Sequence, residues 1–330
     1  MTGWRRAGAH VGQYLAVLVA ALTLNFFLPH LAPGDPVAYF MGEAGALDES
    51  RLDEVRARYG LDRPLAVQYA RYWTDMARGD LGTSVRFNQP VRQVVLERLP
   101  WTVLLVGAAT VASAVMGVVG GALAAWRRGR RQDTALTAAV LGVDAMPAFW
   151  IGMVLVGLLA VEAGLFPTYG AQPAGVEPGT AAWAAGVAHR LVLPAGTIAL
   201  ATMGGTFLLT RGAMLSTLTE PYVRTARSKG APERRVAVRH ALRNALLPAY
   251  THVTLSLGAL LGGAVVVETV FAYPGIGRLL FEAAVARDYP LLRGVFLLVT
   301  VGVVGANLLA DLTYPLLDPR VRRSAGGAAR

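Results

Sequence analysis

The residues in this chain that carry reactive groups are few, and their spacing argues against catalysis. There is no cysteine, which excludes disulfides, thiol nucleophiles and cysteine-bound zinc. The five histidines, His10, His30, His189, His240 and His252, show no H-E-x-x-H or other ligand spacing. No Ser/His/Asp arrangement is visible, so no catalytic, cofactor or metal site is expected. Lys229 is the one lysine among 31 basic residues. A P-loop, G-x-x-x-x-G-K-[ST], places its lysine between a glycine and a Ser/Thr. Lys229 instead follows Arg227-Ser228 and precedes Gly230, so the chain supplies no such nucleotide site. The polar residues that remain are a basic, Gly/Pro-punctuated stretch from Glu220 to Pro248 and two acids, Asp144 and Glu268, set in apolar runs.

The elements that position them are membrane helices. Hydrophobic residues make up 54% of the 330 and charged residues only 16%, against about a quarter charged in soluble domains. Mean hydropathy is +0.46. A bilayer core needs about 20 apolar residues of helix, and lipid leaves no other partner for backbone polar groups. Six candidate spans follow: 11–28, 101–126, 135–162, 193–215, 250–272 and 291–314. The expected fold is therefore all-α, an integral membrane protein with six transmembrane helices. Its parts are the first helix with an external segment (1–100), a five-helix core (101–318) and a basic tail (319–330). Arg5 and Arg6 precede an apolar run as in a signal peptide. Pro29, Pro33 and Pro36 crowd its exit and no small-x-small site follows, so a retained anchor is expected.

Basic residues set the orientation. Arg127, Arg128, Arg130 and Arg131 follow the second candidate span, eight basic residues lie from Arg211 to Arg243, and Arg320, Arg322, Arg323 and Arg330 close the chain. The connections at 163–190 and 273–290 carry one and two arginines. Both termini are thus expected in the cytoplasm. Charges inside a span are costly and usually face the bundle or water. Asp144, near Pro147, reads either as a pathway or kink residue or as a helix-to-helix hydrogen-bonding group. Glu268 reads as part of an outer gate, and Asp311 as pairing with a local arginine such as Arg211 or with water. Gly117-x-x-x-Gly121 and Gly258-x-x-x-Gly262 permit close helix approach.

Residues 29–100 form the long external segment. Asp48 to Tyr59 reads as one helix and Pro64 as the start of another, with Leu65, Tyr69, Tyr72, Trp73 and Met76 sharing a face. Gly79-Asp80-Leu81-Gly82-Thr83-Ser84 follows as a turn. The segment reads as a packed cap, a landing surface for a soluble partner, or both.

The stretch from Glu220 to Pro248, within the cytoplasmic loop 215–248, predicts a helical knob. Pro221 suits a first turn, Glu220 favours the positive helix end, and Gly230 suits a left-handed stop. Pro232 opens a second helix to about Leu247, and Pro248 marks the return to the membrane. Val236, His240 and Leu246–Leu247 are expected to face inward, with Arg234, Arg235, Arg239 and Arg243 outward. Three readings compete: a DNA-binding helix-turn-helix, disfavoured by its tether between spans; a basic face that only obeys the positive-inside rule; and a docking knob for a cytoplasmic partner. The second explains the charge but not the paired short helices, so docking is preferred.

This segment resembles the cytoplasmic loop of permease subunits in binding-protein-dependent ABC importers of the dipeptide/oligopeptide/nickel class. The matching residues are Tyr222 to Gly230 (YVRTARSKG) and Arg239 to Pro248 (RHALRNALLP), which includes Asn244. Ala226, Gly230 and Leu247-Pro248 fill the roles of the general importer loop. Arg224 stands where that loop has a Glu, and the Gly-to-Pro spacing is longer than in sugar-type permeases. Both departures resemble the peptide class. Pro33 to Pro36, Gly79 to Ser84, Glu97 to Thr102, Val270 to Arg278, Arg287 to Pro290 and Asn307 to Arg320 extend the resemblance along nearly the whole chain.

The resemblance implies a type I ABC importer permease fold in the inner membrane, with the first span packed outside a core of spans two to six. It implies a second homologous permease subunit as partner, two ATPase subunits gripping the cytoplasmic knobs, and an extracytoplasmic binding protein. ATP and Mg would be bound by the partners, and no nucleic acid would be. The implied coupling residues are Glu220, Tyr222, Arg224, Ala226, Lys229, Gly230, Arg234, Arg235, His240, Asn244 and Pro248. The implied binding-protein contacts are Gly79, Asp80, Gly82, Thr83, Ser84, Tyr273, Pro274 and Asp288. Substrates range over dipeptides, longer peptides, nickel or another small solute. An autonomous channel or carrier would instead need Asp144 and Glu268 for coupling.

Overall fold

The computed structural model describes residues 2–31 and 62–317, with side chains at 12–27, 62–256 and 264–308. The described residues are helical apart from connecting loops and one isolated bridge, Thr83 to Pro90. The helix expected over Asp48–Tyr59 lies outside the described residues, and Asp311 and the pair Gly258/Gly262 lie outside the described side chains. The chain divides into two compact units, Met1–Pro100 with Arg278–Val304, and Trp101–Gly277 with Gly305–Arg330.

The first unit contains α1 (Thr2–Leu31), α2 (Leu65–Ala77), most of α10 (Ile276–Val285) and the starts of α3 (Val91–Trp126) and α11 (Tyr289–Leu317). Pro64 precedes α2 as expected, because a proline costs nothing at a helix start. Phe26, Tyr69, Tyr72 and Trp73 form an aromatic cluster, with Phe26 edge-on to Tyr69 at 5.2 Å and tilted against Tyr72 at 5.4 Å, and Trp73 edge-on to both tyrosines. Such pairs add about 0.5–1.5 kcal/mol each beyond area burial. The turn before α3 closes through Ser84 N–H to the Gln89 carbonyl and Val91 N–H to the Gly82 carbonyl.

The second unit is built around α6 (Ala181–Thr217). Against it pack α3, α4 (Arg131–Asp144), α5 (Ala148–Leu155, continuing as a π-helical turn Val156–Glu162) and α8 (Arg243–Gly263). Small residues set these approaches. A Cβ on Gly117 would lie 2.7 Å from Thr206 Cβ, and one on Gly120 would lie 3.1 Å from the Phe207 ring. One on Gly121 would strike the Phe207 carbonyl and lie 3.0 Å from Thr210 Cβ. The expected role of Gly117-x-x-x-Gly121 is therefore met, with α6 as its partner.

Three expectations about the spans are corrected. Among the described residues, three helices are long and apolar enough to cross a membrane: Val91–Trp126, Ala181–Thr217 and Tyr289–Leu308. A fourth crossing exists if Arg131–Asp144 and Ala148–Glu162, bent by 104°, make one span. First, then, the stretch 135–162 is a broken element. Pro147 is extended (φ −61°, ψ 139°) and disfavours helix at the residue before it. Second, 250–272 is interrupted: α8 ends at Gly263 and a short helix, α9 (Val265–Val270), follows Ala264. Third, α3 begins ten residues earlier than expected and carries Pro100 inside it.

Replacing Gly121 by leucine should push α3 from α6 and destabilise the chain by about 1–3 kcal/mol. A detergent melting curve checks this; an unchanged midpoint would contradict the close approach.

Candidate functional site

The knob at 220–248 is folded as two short helices with a tight turn. α7 (Pro221–Ser228) starts on Pro221 after an extended Glu220. Gly230 has φ +77°, and the N–H groups of Gly230 and Ala231 bond the carbonyls of Arg227 and Ala226. That left-handed stop is what the glycine provides. Pro232 is extended, and helix resumes at Glu233–Arg235, widens to a π-helical turn over Val236–Leu242 and runs on into α8. Here Pro248 is corrected: it sits inside α8, so the knob and the following helix are one continuous rod.

Two side-chain ties fix the helices against each other. Arg227 forks onto the Glu233 carboxylate at 3.0 and 3.5 Å, and Asn244 donates to the Tyr222 hydroxyl at 2.5 Å. Val223 and Val236 are fully buried, and Ala237, Ala241 and Ala245 pack with Ala125 and Met214 at the ends of α3 and α6. The inward face thus differs from the expected one: alanines fill it, His240 is half-buried, and Leu246 is exposed. Only small side chains let the knob lie this close to two helix ends. Arg224, Lys229, Arg234, Arg235, Arg239 and Arg243 are exposed, and none has an ion-pair partner among the described residues. No group of His, Asp or Glu suited to a metal occurs among the described residues.

Beside the knob, Arg211 grips Asp133 with two bonds of 2.9 and 3.1 Å, and the Gly129 N–H also donates to Asp133. Asp133 is 5% exposed. Arg211 is one of the partners the sequence offers for Asp311, beside another arginine or water; in the structure Asp133 holds Arg211, because the start of α4 lies beside the end of α6. Asp133 was missed because an acid among four arginines reads as a loop charge.

Asp144 ends α4, next to the break at Pro147, and is exposed in this chain. Its carboxylate lies against Gly204 of α6, where a Cβ would collide with it. It makes no hydrogen bond among the described residues, so the helix-to-helix hydrogen bond is absent there, and it lies three residues before Pro147. The His252 ring lies against the neighbouring Gly205.

Glu268, on α9, is fully buried inside a collar made by the turn Phe271–Gly277. Thr102 donates to its Oε1 at 2.9 Å and in turn accepts the Ile276 N–H at 2.7 Å. A Cβ on Gly275 would overlap the carboxylate, and one on Gly277 would lie 2.8 Å from the Val265 backbone. Tyr273 packs edge-on to Trp101 at 6.2 Å. Glu268 therefore organises the turn from inside rather than lining an open path in this chain. Thr102 was missed as a partner, although it closes the segment Glu97–Thr102 that carries the resemblance.

In the first unit, Asp288 is fully buried and accepts from Ser84 Oγ at 2.5 Å and from the N–H groups of Arg86 and Leu291. Of the expected external contacts, Ser84, Tyr273 and Asp288 are buried, so they shape loops rather than offer surface. Gly79, Asp80, Gly82 and Thr83 are exposed and Pro274 is half-buried.

Comparison with known proteins agrees with this architecture. Residues 117–323 match the family model "Binding-protein-dependent transport system inner membrane component", and residues 5–106 match the N-terminal model of the same systems. The oligopeptide transport system permease protein AppB of Bacillus subtilis is 37% identical, covering 93% of this chain and 96% of its own length. The dipeptide transport system permease protein DppB of Escherichia coli K12 is 39% identical, covering 94% and 97%. An inward-facing structure of the MetNI methionine ABC transporter matches 68% of this chain and 97% of its own, with TM-score 0.56 at 14% identity, a likeness of fold. The chain belongs to the family of binding-protein-dependent transport system inner membrane components. It is a multi-pass inner-membrane permease subunit with the all-helical ABC importer fold, is not itself catalytic, and belongs to a family that carries no cofactor. Subunits of this family work in ABC complexes with ATPase subunits and a binding protein.

Removing Arg211 would leave Asp133 buried without its counter-charge. Arg211→Ala should cost about 2–4 kcal/mol, and the double variant Arg211→Met/Asp133→Leu should recover most of it. Melting midpoints in detergent check both. Glu268→Ala should cost about 3 kcal/mol, since it opens a cavity and strands the Thr102 hydroxyl. Glu268→Gln should cost less than half of that.

Proposed function

We propose that this chain forms half of the translocation pathway of an ATP-driven importer for di- or oligopeptides. A second, homologous permease would form the other half. Two ATPase subunits would grip the two cytoplasmic knobs, and an extracytoplasmic binding protein would deliver the peptide. Both termini would lie in the cytoplasm, with six crossings once 11–28 and 250–272 are counted. Peptide as the substrate class is supported by the AppB and DppB relatives, which cover nearly the whole chain.

The observation that carries the coupling role is the knob's construction. It is braced internally by Arg227–Glu233 and Tyr222–Asn244, seated on the ends of α3 and α6, and continuous with α8. Its outer face is basic and unpaired among the described residues, which suits an acidic docking cleft. Rigid-body movement of an ATPase pressing on such a rod reaches the membrane helices without loss in a loose loop. Asp144, at the break beside Pro147, and the exposed residues Gly79, Asp80, Gly82 and Thr83 are the proposed pathway and binding-protein positions. Pro274 joins the latter.

Gly230 tests the coupling. Its φ of +77° is costly for a branched side chain but tolerable for Asn. Gly230→Val should abolish peptide uptake and ATPase co-purification while membrane insertion stays intact, whereas Gly230→Asn should retain most of both. Normal uptake by Gly230→Val would count against docking through the knob.

A further inference from the structure

The first unit contains a cavity of about 250 Å³ bounded by α1, α2, the turn before α3 and the start of α11. Three arginines line it, Arg63, Arg71 and Arg293, against two acids, Asp75 and Asp80. Both acids are engaged. Asp75 pairs with Arg71 at 3.6 Å, and Asp80 accepts the Gly82 N–H at 2.9 Å. Arg63 and Arg293 have no carboxylate partner among the described residues.

Arg293 is held by its surroundings rather than by a counter-charge. Its guanidinium carbon lies 5.5 Å from the Phe26 ring centroid and 5.9 Å from that of Tyr72. Asn25 donates to its backbone carbonyl at 3.1 Å, and Tyr72 is tied to the Leu22 carbonyl. The Arg293 Nε is buried and has no hydrogen-bond partner, and the rest of the side chain makes no hydrogen bond among the described residues. A fixed, partly desolvated guanidinium without a counter-ion is costly to keep, and it matches an oxyanion in both charge and geometry. The adjoining Phe26 and Tyr72 rings, 5.4 Å apart, pre-orient it at low entropic cost.

We propose that this cavity binds the oxyanion end of a ligand, a carboxylate or a phosphate, with Arg293 as the cation that contacts it. Arg63 adds charge at the exposed side. The volume admits a small anion or the end of a larger molecule, being below that of drug-sized pockets. In the orientation proposed above, the cavity belongs to the extracytoplasmic segment. Two sources share this chemistry there: the carboxylate of a soluble solute and the phosphate of a lipid headgroup.

The test uses the intact transporter complex, without binding protein, in phosphatidylcholine nanodiscs. Calorimetric titration with N-acetylalanine should show one site per chain, and N-acetylalanine amide should not bind. Arg293→Gln should weaken the carboxylate at least tenfold, with Arg293→Lys intermediate. Arg63→Gln, at an exposed position, should weaken it a few-fold with an unchanged melting midpoint, which guards against an Arg293 variant that fails to fold. Nanodiscs containing phosphatidylglycerol separate the sources. Loss of N-acetylalanine binding there assigns the site to lipid phosphate, and unchanged binding assigns it to a soluble carboxylate. Equal binding of acid and amide, no binding of either, or indifference to both arginine substitutions would overturn the proposal. Because the readout is anion binding, it fails or succeeds independently of ATPase association at the knob.

Discussion

In hydrocarbon no water meets a backbone N–H or C=O, so each crossing segment must satisfy its own hydrogen bonds. Helices then associate through packing, not through expulsion of water. In the second unit that packing converges on α6, and the architecture there depends on how closely other helices reach it. Gly117, Gly120 and Gly121 open one side, while Gly204 and Gly205 accept Asp144 and His252 from two other helices. Each of these positions has room for a hydrogen and little more. Polar side chains thereby sit against backbone without a large cavity.

The same economy governs the ends of the helices. On one side, Arg211 and Asp133 join α6 to the start of α4, and alanines seat the knob on α3 and α6. At the Glu268 turn, a carboxylate, a threonine hydroxyl and a backbone N–H form a three-membered relay enclosed by glycines. Motif residues that look like surface signatures in the linear sequence, Tyr273, Gly275 and Gly277, are buried. They are needed because the turn must close around a charged group, and any added atom would enter that space.

A transport subunit without a motor must receive force at one place and express it elsewhere. The knob's continuity with α8 provides a stiff path, since no loop intervenes between Glu233 and Gly263. The break at Pro147 provides the opposite property. There helix direction changes by 104°, next to a carboxylate that has no hydrogen bond among the described residues. Stiffness at the proposed input and a bend within the membrane element are compatible with rigid-body switching.

The sequence by itself determined an all-helical membrane chain without a nucleotide site: apolar run lengths, the missing P-loop and the Gly230–Pro232 punctuation are local properties set by composition and short-range sterics, and the family came from the resemblance of its motifs. The short helix from Pro221, its stop at Gly230, the restart after Pro232 and the role of Gly117/Gly121 were all legible for that reason. Only tertiary structure decided which partner each polar group takes. Arg211 chooses Asp133, Thr102 bridges Glu268 to Ile276, and Ser84 meets Asp288 across 204 positions of chain. Such pairings depend on which helix faces come together, and periodicity does not encode that. Pro248 shows the limit most plainly. Its ring removes one backbone donor, which in isolation ends a helix, but packing on either side of it carries α8 straight through.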